Sequence, residues 1–381
     1  MNVICFSDIT WNFLWQRQQQ IISRFPKDCN ILFVEPSFWL AAIWGIINKG
    51  LFRFLPHRVS QNILVCSIPT IPFGDKFNVS RKINDHLLIK GIKNLMKKYN
   101  IDKPVLLFYK PRYSCVINKI GESLVCYDVI DDTLALEASP NWLEDRIKFL
   151  KSNSDLIITS SENLYRKISE KRKDVFFIGN GVETEHYTKS DIPSLIPDEI
   201  KNEHKIIGYI GAIGEWFDFD LLEKILKRFP NFSIVLIGWV FRNQKRTLNN
   251  LSKQYKNLHI LGLKPYQDLP KYVKDFDVCI IPFRIYELTN SVNPTKVYEY
   301  LASGKPVITT SLPELKKFDD VLYIAKDHEE FLLNIDNALV KEYDIEKAIR
   351  LAQENDWEIK VSEMLKKIQD YAAKKSSRFS I

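Results

Sequence analysis

Two patterns of apolar residues alternate along the chain. Short apolar runs rich in β-branched residues are typical of buried strands, and stretches with apolar residues every three to four positions are typical of helices. The first half predicts strands at Val3–Phe6, Ile31–Val34, Ile63–Ser67, Val105–Tyr109, Leu124–Tyr127, Leu156–Thr159 and Val175–Ile178. The second half predicts strands at Ile206–Ile210, Ile234–Ile237, Leu258–Leu261, Val278–Ile281, Val307–Thr310 and Val321–Ile324. Uniformly apolar strands joined by helices predict parallel sheets covered on both faces.

The helical patterns divide into two groups. They are Leu14–Phe25, Val79–Tyr99, Trp142–Lys151, Asn163–Lys171, Leu221–Phe229, Lys245–Tyr255, Leu269–Phe276, Glu329–Val340 and Trp357–Tyr371. A polar, proline-containing stretch from Glu183 to Glu203 separates the groups and is predicted to be a linker. We therefore predict an α/β protein with two doubly wound, Rossmann-like domains, residues 1–185 and 186–356, and a C-terminal helical segment at 357–381. Two such domains would face a cleft at the carboxyl ends of their strands, where ligands bind in this fold class.

The stretch from Val278 to Thr310 reads as strand, loop, helix and strand. Asn293 is predicted to cap the helix, and Pro294 suits the first helical position because it has no N–H to leave unpaired. Gly304 is predicted to end the helix. A helix start of this kind leaves backbone N–H groups free and carries a partial positive charge.

The free amides at this helix start belong to Thr295 and Lys296, which together predict an anion site. Lys296 adds a full positive charge. Glu299 follows three residues later on the same helix face, where a carboxylate can accept hydrogen bonds from a ribose hydroxyl pair. This arrangement suggests a nucleoside diphosphate, and the alternative is an ordinary surface ion pair.

Acidic residues follow one strand of the first half. Asp128, Asp131 and Asp132 lie at the end of the strand that begins at Leu124. A carboxylate at the carboxyl end of a strand can act as a general base toward an acceptor hydroxyl. The alternative role is to cap the next helix. Two Asp-x-Asp matches, at Asp218–Asp220 and Asp275–Asp277, are interpreted as a helix start and a strand approach, so no metal ion is expected.

Charge is distributed unevenly along the chain. The net charge is +7, and residues 51–100 hold nine basic residues against two acidic ones, Asp75 and Asp85. The preceding segment, Phe38 to Leu55, is rich in aromatic and aliphatic residues and too short to span a bilayer. This combination is typical of a helix lying in the interface of an anionic membrane, and the alternative is a helix buried against the sheet. Six unclustered cysteines and a strand at the very start favour a cytoplasmic protein.

The order of motifs resembles the GT-B glycosyltransferases, in particular the group-four type that builds bacterial surface polysaccharides. The motifs are Asn180–Glu183, Gly208–Gly211, Leu236–Gly238, Leu261–Gly262, Asp277–Val278, Pro294–Val307 and Trp357–Glu358. The resemblance covers nearly the whole chain. It implies that the C-terminal helix crosses back to the first domain, that Glu299 binds the ribose, and that the amides of Thr295 and Lys296 hold the pyrophosphate.

The resemblance implies further contacts and shows two departures. Gly211 and Gly214 would let a pyrophosphate approach the backbone, although the basic pair usual after this strand is missing, which leaves neutralisation to Lys296 and Arg284. Ser291 stands where the family places the first of two glutamates. The loop at Leu263 and Lys264 would read the base, or is a simple turn. Trp11, Arg17 and Gln18 would border the acceptor, with Trp15 nearby, or serve helix packing.

We therefore expect a metal-independent hexosyltransferase that uses a UDP- or GDP-linked sugar as its donor and needs no other cofactor. The expected acceptor is a lipid-linked saccharide, reached by peripheral contact with the inner face of the cell membrane, and no nucleic acid is expected as a partner. The family retains the anomeric configuration, whereas the aspartate cluster would support inversion. A nucleotide-sugar epimerase of the same architecture and a non-catalytic nucleotide-sugar binder are the alternatives.

Overall fold

The structure is a computed structural model that describes residues 1–36, 56–71, 77–132, 140–189, 192–201 and 205–378. It divides into two compact units. Unit 1 comprises residues 1–160, 164–178 and 361–381, and unit 2 comprises residues 161–163 and 179–360. The predicted interfacial segment at Phe38–Leu55 lies outside the described residues.

Unit 1 contains an eight-stranded sheet. Its strands are β1 Asn2–Phe6, β2 Asn30–Glu35, β3 His57–Arg58, β4 Ile63–Ser67, β5 Val105–Phe108, β6 Leu124–Val129, β7 Leu156–Thr159 and β8 Val175–Phe177. The order across the sheet is β3-β4-β2-β1-β5-β6-β7-β8. Every pairing is parallel except that of β3 with β4, which is antiparallel. The sequence pattern did not predict β3, which is a two-residue strand at the edge of the sheet. The sheet is covered by α1 Arg17–Ser23, α2 Asn78–Tyr99, α3 Asn141–Asn153 and most of α4 Glu162–Ser169.

The centre of unit 1 combines an apolar core with a buried ion pair. Phe6 and Phe108 stack with ring centroids 4.7 Å apart across the β1–β5 pair. The guanidinium of Arg17 donates from Nε to Asp128 at 2.8 Å and from Nη2 to the carbonyl of Ile178 at 2.9 Å. Arg17 and Asp128 are 3% and 0% exposed, so α1 is joined to β6 by charges that water does not reach.

Unit 2 contains a six-stranded parallel sheet. Its strands are β9 Ile206–Ile210, β10 Ser233–Ile237, β11 Leu258–Gly262, β12 Val278–Ile281, β13 Val307–Thr310 and β14 Tyr323–Ala325, in the order β11-β10-β9-β12-β13-β14. Its helices are α5 Thr184–Tyr187, α6 Asp198–Lys201, α7 Phe219–Arg228, α8 Lys245–Gln254, α9 Leu269–Val273, α10 Thr295–Ala302, α11 His328–Val340 and α12 Ile345–Glu354. The predicted α/β class with two parallel-sheet units is confirmed.

The stretch predicted as a linker contributes to the core of unit 2 instead. Tyr187, Ile196 and Ile200 are buried in the same apolar cluster as the strands of this unit. The hydroxyl of Ser233 donates to the carbonyl of Ile200 at 2.9 Å. A polar composition concealed these anchors because the three apolar residues stand singly among polar neighbours.

The last helix, α13 Trp357–Arg378, belongs to both units. Trp357 is 1% exposed and its backbone N–H donates to Val182 at 2.9 Å within unit 2. From Val361 onward the helix is part of unit 1, where Tyr371 donates to Asp174 at 2.5 Å and Lys375 donates to Asp155 at 2.7 Å. The crossing that the motifs implied is therefore present.

Candidate functional site

Three glycines end adjacent strands of unit 2 and bring their backbones together. Gly211 follows β9, Gly238 follows β10, and Gly262 ends β11, with φ angles of 148°, 145° and 70°. The N–H of Gly211 donates to Ile237 at 2.8 Å, and that of Gly238 donates to Gly262 at 2.9 Å. A Cβ at Gly238 would lie 2.0 Å from the carbonyl oxygen of Gly211. Only glycine permits this approach, which leaves an open edge of backbone at the carboxyl ends of the strands.

Helix α10 places Lys296 directly against this glycine edge. A Cβ at Gly211 would lie 2.7 Å from Lys296 Cε. The ammonium lies 4.7 Å from the ring centroid of Phe283 and 5.3 Å from that of Tyr209. Tyr300, one turn further along α10, accepts the N–H of Ile210 at 2.7 Å and so fixes the helix to the end of β9. The charge of Lys296 is thus held where backbone and aromatic rings meet.

Glu299 and Lys296 carry charges that their surroundings disfavour. Burial lowers the pKa of Lys296 to about 8, and the carboxylate of Glu299 opposes this fall. Burial also raises the pKa of Glu299 to about 7, opposed by Lys296 and by the hydroxyl of Tyr187. That hydroxyl lies near Glu299 in a geometry short of a hydrogen bond. Nothing in the sequence pattern pointed to Tyr187.

The pair is not a closed ion pair. Among the ion pairs within 4.0 Å in the described part of the chain, none joins Lys296 to Glu299. Two partly buried groups of opposite sign on one helix face, which do not form a close ion pair with each other, are therefore available to a ligand that carries both an anion and hydroxyl donors.

The start of α10 differs from the prediction in one detail. Pro294 is the N-cap, with extended φ and ψ of −75° and 117°, so the prediction that Asn293 caps the helix is wrong. Its extended conformation keeps Pro294 itself outside the helix. The carbonyl of Asn293 instead accepts the side-chain amide of Asn180 at 2.6 Å. Asn293 is 4% exposed, and neither its Oδ1 nor its Nδ2 has a hydrogen-bond partner among the described residues.

The remaining predicted donor residues lie at the same edge of the sheet with different surroundings. Gly214 leaves room for the Trp216 indole, since a Cβ there would lie 2.6 Å from that ring. Arg284 is exposed, and its backbone N–H donates to the carbonyl of Trp216 at 2.8 Å. Leu263 is 47% exposed after β11, and the ammonium of Lys264 lies 5.7 Å from the Tyr272 ring centroid.

The sheet order explains why these residues meet. From β9 the chain moves outward through β10 to β11 and then returns to β12 on the other side of β9. The point where the direction reverses opens a crevice at the carboxyl ends of the strands, where ligands bind in doubly wound folds. The direction reverses between β9 and β12. Gly211 follows β9, and Phe283 and Arg284 follow β12.

The predicted catalytic aspartates of unit 1 differ from one another in their surroundings. Asp128 is fully buried with Arg17, which is the wrong setting for a base that must reach an acceptor. Asp132 pairs with Lys167 at 2.9 Å. Asp131 is exposed as a residue, yet the protein surrounding its carboxyl, followed by the charge of Asp8, raises its pKa to about 6. Of the three, Asp131 is the residue most exposed to solvent.

The predicted acceptor residues are more buried than expected. Arg17 is occupied by Asp128. Trp11 is 7% exposed and packs edge-on against Phe33 and Trp15, which is the helix-packing alternative. Gln18 is 1% exposed and donates from Nε2 to Asp8 at 2.6 Å.

Two features are absent from the described residues. No group of three or more His, Cys, Asp or Glu side chains there is arranged to hold a metal ion. None of the helices in that part of the chain has the length and apolar character needed to span a membrane.

Known proteins are similar to this chain in sequence. Residues 204–340 match the family model of glycosyl transferases group 1. A putative teichuronic acid biosynthesis glycosyltransferase, TuaH of Bacillus subtilis (strain 168), is 27% identical over 386 aligned positions, covering 85% of this chain and 94% of that protein.

Solved structures share the fold over nearly their whole length. A trehalose-6-phosphate structure from E. coli bound with UDP-2-fluoro glucose has a TM-score of 0.72 at 12% identity, covering 98% of this chain and 99% of that one. Anabaena HepE in complex with UDP has a TM-score of 0.69 at 12% identity, covering 97% and 100%. At these identities the likeness shows the fold alone.

Proposed function

We propose that this chain, a group-1-like glycosyltransferase with the GT-B fold, moves a hexose from a UDP- or GDP-linked donor to a lipid-linked saccharide in the synthesis of a surface polysaccharide. The observation that carries the donor assignment is the placement of Lys296 against Gly211 with Glu299 one turn away. The relatives support it, since one is named for teichuronic acid biosynthesis and two are bound to UDP or a UDP-sugar.

The proposed donor contacts follow from the charges and free backbone groups. The amides of Thr295 and Lys296 and the Lys296 ammonium would hold the pyrophosphate beside Gly211. Glu299 would accept hydrogen bonds from the ribose hydroxyls. The unpaired carboxamide of Asn293, directly before Pro294, would face the part of the donor next to the helix start, and Ser291 removes a carboxylate from that region.

The donor assignment is tested by calorimetry. The full-length protein is titrated with UDP, GDP, ADP and CDP, and the tightest ligand is then titrated into Glu299→Gln and into Glu354→Gln. Glu354 is an exposed residue of α12 and serves as the matched control. We expect about tenfold or greater loss in the first variant, the scale of a hydrogen bond to a charged group, and no change in the second. Equal affinity in all three proteins would remove Glu299 from the site.

Transfer is proposed to be metal-independent and to retain the anomeric configuration. Lys296 and the helix amides supply the positive charge that a cation would otherwise provide. Turnover should survive EDTA, and loss of turnover restored by manganese would contradict the proposal. Proton NMR of the first product reports the stereochemistry. An inverted product would instead assign Asp131 as the general base, because a pKa of about 6 suits that role near neutral pH.

Contact with an anionic membrane on the cytoplasmic side is proposed from the exposed face of α2. Val79 and Ile83 are 72% and 43% exposed at its beginning. Exposed lysines continue along the same face, at Lys82, Lys90, Lys93 and Lys97. The helix has one acidic residue, Asp85, and it pairs with Arg146 of α3. Apolar side chains followed by uncompensated cations suit an interface with anionic headgroups.

Liposome sedimentation tests this contact. We expect salt-sensitive binding to phosphatidylglycerol vesicles, little binding to phosphatidylcholine vesicles, and loss of binding in Lys90→Glu/Lys93→Glu. The matched control is Lys253→Glu/Lys256→Glu, which reverses two exposed charges of unit 2. Equal loss in both double variants would show only a response to net charge and would contradict a docking face on α2.

A further inference from the structure

Two aromatic side chains are exposed on unit 2 just after β10. Trp239 and Phe241 are 41% and 42% exposed, and Val240 between them is half-buried against the core of the unit. The switch point of this sheet lies between β9 and β12, one strand away. Aromatic rings are usually covered in folded proteins, so two neighbouring exposed rings indicate a surface that binds a partner.

The backbone that carries these rings is fixed by hydrogen bonds. Val240 forms an isolated parallel bridge with Ile213. The N–H of Ile213 donates to the carbonyl of Trp239 at 2.8 Å, and the N–H of Phe241 donates to the carbonyl of Ile213 at 3.0 Å. Alternate side chains of an extended segment point to the same side, so both rings are directed away from the side on which Val240 packs. A pair of rings ordered in this way loses little conformational entropy when it binds a ligand.

Positive charge accompanies the two rings. Arg242, Lys245 and Arg246 are exposed, and the ammonium of Lys245 lies 5.8 Å from the centroid of the Trp239 ring. Among the residues that the structure describes, no ion pair involves any of these three cations. The sequence has no acidic residue from 224 to 267. This part of the surface therefore attracts anions.

The other exposed side chains beside the rings are polar. Asn243, Thr247 and Asn250 are exposed, whereas Leu248 and Leu251, the apolar residues of α8, are buried. A helix that lies in a membrane interface presents an apolar face to the acyl chains, and α8 has no such exposed face. Amide and hydroxyl groups donate and accept hydrogen bonds, as the hydroxyls of a sugar require. The combination of rings, cations and amides favours a saccharide over a lipid surface.

We propose that Trp239, Phe241, Arg242 and Lys245 form a surface that binds an anionic saccharide chain. The rings contact the apolar faces of the sugars, and the cations contact carboxylate or phosphate groups of the chain. Glu215, in the loop after β9, is exposed and leaves the charge balance of the surface positive. In the transferase proposed above, the ligand is the part of the polysaccharide beyond the sugar that is being joined. That last assignment rests on the proposed function.

Titration calorimetry on the full-length protein tests this surface. The probe is octagalacturonate, compared with neutral maltooctaose and with polyglutamate of the same net charge. The wild type should bind octagalacturonate, more weakly as salt is added, and should bind each reference ligand at least about tenfold more weakly, because one lacks the charge and the other lacks the sugar rings. Trp239→Ala/Phe241→Ala and Arg242→Gln/Lys245→Gln should each weaken octagalacturonate binding about tenfold or more.

The control variants change the same types of residue elsewhere. Phe149 is 42% exposed on α3 of unit 1, and Lys253 and Lys256 are exposed further along the chain in unit 2. Phe149→Ala and Lys253→Gln/Lys256→Gln should bind octagalacturonate like the wild type. Because all the replaced side chains are exposed, every variant should keep the melting temperature of the wild type.

Several results would overturn the proposal. The first is a wild type that does not bind octagalacturonate, or double variants that bind it normally. Equal affinity for polyglutamate or for oligothymidylate would show a response to charge or to any ring-bearing polyanion. If Trp239→Ala/Phe241→Ala loses UDP or GDP affinity, the rings belong to the nucleotide site, and if it loses sedimentation with phosphatidylglycerol vesicles, they contact a membrane. A wild type that binds no nucleotide but binds octagalacturonate through the two rings would contradict the donor assignment and support this surface.

Discussion

Replacement of Lys296 by Met should stabilise the empty protein while weakening donor binding. Burial lowers the pKa of Lys296 from 10.5 to about 8. Each pKa unit corresponds to about 1.4 kcal/mol, so the buried charge costs the folded state about 3 kcal/mol. Below pH 8 the ammonium is charged in the folded and unfolded states alike, and the full cost is present. The cost disappears between pH 8 and 10.5, where the folded protein releases the proton first.

Methionine keeps the volume of the side chain and removes the charge. The lost attraction to the rings of Phe283 and Tyr209, about 1 to 2 kcal/mol for a desolvated cation, offsets part of the gain. The net stabilisation is therefore about 1 to 2 kcal/mol. At pH 6 the carboxyl of Glu299 is largely neutral, because its pKa is about 7, so loss of its cationic partner adds little there.

Scanning calorimetry and titration calorimetry at pH 6 measure the two effects. The melting temperature of unit 2 in Lys296→Met should rise by a few degrees, since about 1 kcal/mol shifts a domain of this size by about 2 to 4 °C. Affinity for UDP or GDP should fall about tenfold or more through loss of a charge-assisted contact. Lys256→Met, at an exposed lysine, should change neither quantity. A less stable variant at pH 6, or one with unchanged nucleotide affinity, would refute the assignment of Lys296 as a charge buried for the donor.

Three other changes have distinct expected results. Nucleotide affinity of the wild type should fall as the pH drops below about 7, where Glu299 gains a proton, and Glu299→Gln should remove that dependence in calorimetric titrations from pH 5.5 to 8. Gly238→Ala should lower the free energy of unfolding measured in urea by about 3 kcal/mol or more, because its Cβ would meet a backbone oxygen at 2.0 Å. Gly262→Ala has open space around its Cβ and should lower that free energy by only about 1 kcal/mol through backbone strain. Arg17→Met should destabilise unit 1 by about 3 to 5 kcal/mol by leaving Asp128 buried and unpaired, and a second change, Asp128→Asn, should recover most of that loss in the same urea assay.

The local pattern of apolar residues was sufficient to predict most strands and helices, because a buried strand is an unbroken apolar run in the sequence. The proposed donor residues could also be located from the sequence, since Lys296 and Glu299 lie on one helix whose start is marked by proline. The buried contacts between distant side chains could not be predicted. The pairing of Arg17 with Asp128 joins residues 111 positions apart, and the sequence offers no trace of it.

Asp8 was overlooked for a related reason. It follows the first predicted strand, but its hydrogen bond from Gln18 joins residues of different elements, and such contacts are not encoded in local periodicity. The exposure of side chains could not be predicted either. Trp11 was expected to offer its ring to a sugar, whereas it is buried in the core. The ends of the strands could therefore be located from the sequence, whereas the surroundings of the residues at those ends could be described only from the structure.

The sharing of α13 between the two units has a consequence for synthesis on the ribosome. Unit 1 begins at the first residue, yet its contacts include Lys375 with Asp155 and Tyr371 with Asp174, which are separated by 220 and 197 positions. The emerging chain must therefore complete the whole of unit 2 before the last helix of unit 1 is available. Until then the surface that later receives Met364 and Ile368 stays uncovered. A ribosome that stalls before residue 361 leaves a finished unit 2 attached to an unfinished unit 1, which is the species that chaperones and proteases would meet.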